Sequence, residues 1–197
     1  MPVLVPTLDL SYGELYVAQQ VQSNRHRLDL SLQYTSGSNS PQFHLKGVSL
    51  GTDFWLFNNM MIGMSLSTYS ASPSELQNVL SQRLNLGAVS LQYIHPQHSI
   101  YTRVGYSPLH GLVNLFERTV VTTDLIGGFG VGGTQYSDGH LQGGIQAFLE
   151  ERILLYKSLG ITFGLTNFWE QIDSAGSDSG SSWSSRIQLH AGAYVRF

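Results

Sequence analysis

From Ile187 to Phe197 the chain alternates without a break between two sets of residues. Ile187, Leu189, Ala191, Ala193, Val195 and Phe197 form one set; Gln188, His190, Gly192, Tyr194 and Arg196 form the other. A period of two puts each set on its own side of a β-strand. The same pattern recurs upstream. Leu28, Leu30, Leu32 and Tyr34 share a face, and Val48, Leu50, Thr52, Phe54 and Leu56 are opposed by Gly47, Ser49, Gly51, Asp53 and Trp55. Met60 to Leu66, Leu84 to Tyr93, Ile100 to Tyr106, Val121 to Val131, Leu141 to Leu149 and Leu159 to Leu165 follow, divided by Gly, Asn, Pro and Ser turn chemistry such as Asp138-Gly139. The expected fold is all-β.

Composition narrows the setting. Charged residues are 12% of 197, about half the share of ordinary soluble proteins. Nowhere is there an apolar run of the ~18 residues a spanning helix requires. If the chain enters a bilayer it must therefore do so as a closed barrel, which leaves no strand edge unpaired in lipid. With no Cys there is no disulfide framework, thiolate metal site or thiol nucleophile. A net charge of −3 without a basic run gives no nucleic-acid footprint. Met1-Pro2-Val3 has no basic and then apolar leader pattern, so the expectation is either a mature form or a chain that is not exported.

A soluble ligand-binding barrel also alternates, with its polar face in water. Here the polar faces carry Gly, Ser, Thr and Gln with an occasional Asp, Arg or His, rather than the Lys and Glu of a wetted strand. Small residues suit the inside of a narrow barrel, so a transmembrane antiparallel up-and-down β-barrel is expected, with the apolar face outward. Strand number lies between eight and ten. Reading Leu109–Phe116 as a separate strand gives ten and puts the short turns (58–59, 95–98, 117–118, 150–152) on one side. The longer loops (36–42, 71–82, 132–139, 169–183) then fall mostly on the other. Tyr34, Trp55, Phe57, Tyr69, Tyr93, Phe168, Trp169 and Trp183 stand near strand ends, where interfacial girdles belong. His140, Gln142, Gln146, Arg186, Gln188, His190 and Arg196 are expected to form a polar lumen.

The amphipathic last strand with its terminal Phe resembles the closing strand of Gram-negative outer-membrane barrels, where that terminus is an assembly signal. Two further segments resemble a small outer-membrane β-barrel domain family of predatory and related bacteria. One is Leu15-Tyr16-Val17-Ala18-Gln19-Gln20 with Arg25-His26-Arg27-Leu28-Asp29-Leu30. The other is Tyr106 to Phe116 with Val120 to Leu125 and Gly127 to Gly132. The chain departs from that family at Leu112, where a Lys is usual, and at Leu125-Ile126, where an aromatic is usual. The resemblance implies a barrel, an outer-membrane address and the barrel-assembly machinery as a partner in biogenesis. It implies no catalysis.

The candidates for chemistry are seven histidines and many serines. His95 and His98 flank Pro96, a pair without a third ligand by spacing, so no metal is expected. No Gly-x-Ser-x-Gly elbow is present, and the glycines from 127 to 133 precede no helix, so neither a hydrolase elbow nor a dinucleotide loop fits. No catalytic residue and no cofactor are expected. A barrel this small has a filled interior rather than an open pore. Residues 1–24, too apolar for a free tail at Leu8, Leu10, Tyr12, Leu15, Tyr16 and Val17, are expected to form a periplasmic or packing segment ahead of a barrel at 25–197. The expected role is structural or porin-like, in contact with membrane lipid and self-associated as a homo-oligomer. The alternatives are an outer-leaflet lipid-modifying acyl hydrolase, then a soluble ligand-binding barrel.

Overall fold

A computed structural model of the chain describes residues 26–40, 43–57, 59–73, 94–115, 119–172 and 182–197. They form eight strands: β1 (Arg27–Ser40), β2 (Phe43–Trp55), β3 (Met60–Pro73), β4 (Pro96–Leu115), β5 (Thr119–Tyr136), β6 (Leu141–Tyr156), β7 (Leu159–Ile172) and β8 (Ser182–Arg196). Each pairs antiparallel with its sequence neighbours, and β1 pairs with β8 to close the sheet in the order β1 to β8. Closure removes every edge strand among these elements.

Eight strands replace the ten favoured by turn parity. Ile100–Tyr106 and Leu109–Leu115 are one strand, β4, interrupted only by a register shift between Tyr106 and Leu109. Pro108 falls within that irregularity, where no ladder hydrogen bond is asked of it. β3 pairs directly with β4 in the sheet; residues 74–93, which include the expected strand at Leu84–Tyr93, and the segment 1–24 lie outside the described residues. Glu150-Glu151-Arg152 is not a turn but lies inside β6, and β5 runs through Gly132-Gly133 to Tyr136. The turns instead fall at Ser137–His140, where Gly139 has φ +87°, and at 157–158.

The stagger of the barrel can be followed by stepping across paired residues. From Arg196 the row passes through Asp29, Asp53, Gly63, Arg103, Gly130, Gln146 and Phe168. It returns to β8 at Arg186, ten residues short of where it left. A stagger of that size tilts the strands by roughly 35–45° to the axis.

The two faces of the wall differ in kind. Leu32, Phe129, Val131, Leu189 and their neighbours point outward, with Leu32 59% and Phe129 73% exposed. Inside, large side chains meet glycine on the next strand: Tyr69 faces Gly47, Tyr101 faces Gly132, Phe148 faces Gly128 and Tyr194 faces Gly160. Arg103 has glycine on both sides, Gly63 and Gly130. A Cβ at Gly105 would stand 2.7 Å from Met61 Cε and 3.0 Å from Ile126 Cγ2, so the glycines create the room that the long side chains fill.

Candidate functional site

The inner faces carry five arginines, Arg27, Arg103, Arg152, Arg186 and Arg196, and five carboxylates, Asp29, Asp53, Asp124, Glu150 and Glu170. Strand alternation delivers all ten to the lumen. Asp29 and Asp53 sit directly opposite each other on β1 and β2, a like-charge pair that would repel. Arg152 resolves it. Its guanidinium reaches Asp29 Oδ2 at 3.0 Å through Nη1, Asp53 Oδ2 through Nη2 and Glu150 Oε1 at 2.6 Å through Nε, and its side chain has no exposed surface. Arg103 approaches the same Asp53 from the other side, Nε to Oδ1 at 2.8 Å, and donates through Nη1 to Glu150 Oε2 at 3.2 Å. Arg27 chelates Asp29 through Nε at 2.9 Å and Nη2 at 2.7 Å and stacks over the Trp55 ring at 4.4 Å. The Trp55 Nε1 donates to Asp29 Oδ2 at 3.0 Å. Toward the chain-terminal rim, Asp124 gathers His110, Arg196 at 3.0 Å and Arg27 at 3.4 Å.

A second centre lies toward the opposite rim. Glu170 accepts from Tyr101 at 3.0 Å, Tyr136 at 2.6 Å, Thr134 and Arg186 at 2.9 Å. The Arg186 guanidinium lies between the rings of Phe168 (4.5 Å) and Tyr69 (5.1 Å). Between the two centres, Gln33, Thr35 and Gln188 on the adjoining β1 and β8 keep buried polar atoms without a side-chain partner. Bidentate guanidinium–carboxylate pairs hold fixed geometry, so the whole arrangement can brace the wall and block passage through it. Ser107, near His110 in sequence, donates its hydroxyl to the Leu109 carbonyl at 3.2 Å. Among the described residues no group of three or more His, Asp or Glu is arranged to hold a metal ion.

Of the expected lumen residues, Gln146, Arg186, Gln188 and His190 are buried inside, and Gln142 and Arg196 are half-buried on the same face. His140 is a correction: it is exposed in the turn before β6, its backbone N–H bonded to Asp138 Oδ1 at 3.0 Å. Three of the expected girdle aromatics also turn inward, since Trp55, Tyr69 and Phe168 share strand phase with Asp53, Ser67 and Thr166 and are buried. Tyr34, Phe57 and Trp183 are exposed and Trp169 is half-exposed, while Tyr93 lies outside the described residues. Ile187, Leu189, Ala191, Ala193 and Val195 all face outward on β8. Phe197 follows them, its backbone N–H bonded to the Leu28 carbonyl at 2.8 Å. His95 precedes β4 and His98 lies within it, 3.2 Å from Thr68 Oγ1. Sequence reading missed Arg27, Asp29, Asp53, Arg103, Asp124, Glu150, Arg152 and Glu170 as a set. The available signal was that each falls on the glycine-bearing phase of its strand.

No protein-family model and no curated protein matches the chain. Among solved structures, a de novo designed transmembrane β-barrel is 8% identical, with 88% of this chain and 97% of that one covered and a TM-score of 0.47. Neisserial surface protein A is 10% identical over 87% and 96%, with a TM-score of 0.45. Ail, the attachment invasion locus protein of Yersinia pestis, solved with the heparin analogue sucrose octasulfate, is 10% identical over 88% and 99%, with a TM-score of 0.40.

Proposed function

We propose that this chain is a small outer-membrane barrel whose role is structural: a plugged, non-catalytic wall element of the envelope. The inverted distribution of polarity carries the reading. Outward positions from Leu28 round to Val195 are predominantly apolar and exposed, while five arginines and five carboxylates are enclosed. In water that arrangement would spread large apolar surface over the whole exterior, whereas in lipid the same surface is solvated. The connections agree with it. Those on the chain-terminal rim (56–59, 116–118, 157–158) are short, and the long ones, 74–95 and 173–181, lie on the other rim, as in barrels with short periplasmic turns.

The reading includes self-association. Residues 1–24 are the segment offered for packing against the barrel or a second copy, and the assembly machinery of the envelope is the partner during biogenesis. Kinship with the small barrel family of predatory and related bacteria rests on residues 15–20 with 25–30 and on residues 106–116 with 120–125 and 127–132, and on no family model. Comparing heated and unheated samples by gel mobility, with native mass spectrometry in detergent, tests the reading. A heat-modifiable band and a mass at a multiple of 21.7 kDa are expected. A monomer that stays monodisperse without detergent would sink the membrane assignment. An oligomer unchanged by deleting residues 1–22 would remove that segment from the assembly.

A further inference from the structure

The wall parts between β3 and β4 at the long-loop rim. Pairing of β3 with β4 runs from Met60–Tyr106 to Thr68–His98 and stops there. β2 and β3 stay paired up to Phe43–Pro73, and β4 and β5 up to Pro96–Tyr136. A groove of about 550 Å³ lies at the parting, within the range of small-molecule sites. Val48, Leu50, Leu66, Ile100 and Leu141 make its apolar sides, and Thr68 and His98 belong to its upper part, joined by a 3.2 Å hydrogen bond. One step above Val48 on the same outward face stands Lys46, exposed and in register with Ser70, itself one step above Thr68. Among the described residues, Lys46 is the one lysine or arginine within a strand that faces outward, and no carboxylate pairs with it.

That placement needs a reason. A lysine on the lipid face costs roughly 2–4 kcal/mol at the bilayer midplane and about 0–1 kcal/mol near the interfaces. Lys46 near the long-loop rim therefore stands at headgroup level, above a strip of aliphatic side chains. A cation, an imidazole and a hydroxyl over an apolar slot match an amphiphile whose charged end accepts hydrogen bonds from several donors. We propose that this groove seats one anionic, phosphate-bearing membrane lipid. Its phosphate is held by Lys46 and His98, and an acyl chain lies along Leu50, Leu66 and Ile100. The inference rests on the membrane reading above.

The test uses the full chain in detergent, titrated with dioleoyl-phosphatidylglycerol or dioleoyl-phosphatidylcholine and read by native mass spectrometry. One phosphatidylglycerol is expected to be retained in preference to phosphatidylcholine. Lys46→Gln and His98→Gln should each weaken that retention by up to about fivefold, the scale of one exposed charge contact. Lys157→Gln, at the opposite rim, should leave it unchanged, and Leu66→Trp, which fills the slot without touching charge, should weaken retention of both lipids. Equal retention of the two lipids, or a Lys46→Gln protein that holds phosphatidylglycerol as well as the parent, would overturn the proposal. Heat-modifiable protein without lipid preference removes the site alone; detergent-independent protein removes the membrane reading with it.

Discussion

Arg152 shows how much can depend on one side chain. It is the shared partner of Asp29, Asp53 and Glu150, and it separates two carboxylates that the register places face to face. Arg152→Leu leaves three buried carboxylates short of a partner, and loss of one member of such a pair costs about 3–5 kcal/mol. Denaturant unfolding in detergent or lipid should show that fall in midpoint. Arg152→Lys should fall between leucine and the parent, because one ammonium cannot span three carboxylates with a guanidinium's fork. A lysine variant as stable as the parent would mean the contacts are not shared as described. Glu170→Gln makes the parallel case at the other centre. It leaves Arg186 without its carboxylate between two rings, and a loss of similar size is expected in the same assay.

At the scale of a strand, the pairing of large residues with glycine decides which substitutions the wall accepts. Gly105 faces Met61 and Ile126 inside, and Gly105→Leu should lower stability by about 1–3 kcal/mol through overpacking. Gly143 points outward with nothing within 4 Å of a Cβ, so Gly143→Val should be neutral or stabilising by up to about 1 kcal/mol from strand preference. Equal destabilisation by the two would mean that glycine serves the backbone rather than the lumen. The same alternation made strand faces legible from sequence: Leu28 to Tyr34 and Ile187 to Val195 could be assigned to one side by period alone. Strand ends were not legible. Tyr106-Ser107-Pro108 reads as a break because proline usually ends a strand, yet an irregular register absorbs it. Glu150-Glu151-Arg152 reads as a turn because charge inside a strand is unusual. Two of the three are countered across the lumen by residues far away in sequence, and Glu151 accepts from Thr123 Oγ1 at 3.1 Å. Trp55 and Phe168 went astray for a related reason. Aromatics suit a girdle, but their phase already put them on the inner side.

For the whole molecule, polarity inside and oil outside make two expectations. Leu32→Lys puts a charge midway along β1 on the outer wall and should cost roughly 2–4 kcal/mol in lipid; a soluble barrel would accept it at little cost, so an unchanged midpoint would argue against a membrane wall. The chain incorporated in a planar bilayer should show no steady ionic current, since Arg152, Glu150, Tyr101 and Tyr194 fill the bore. Resolved conductance steps would show that the lattice does not seal it. The charge balance of this interior was visible only in part from sequence, because strand phase finds the inward residues but the stagger decides which of them meet. That stagger, and the pairing of Asp29 with Arg196 that it includes, has a consequence in time. The first and last strands are the farthest apart along the chain, so the bond that completes the cylinder is also the one with the largest loop to close. Until β8 arrives, β1 offers an open edge to any passing strand. Maturation of this protein is thus a race between its own eighth strand and its neighbours', and shielding β1 until closure is what an escort would have to accomplish.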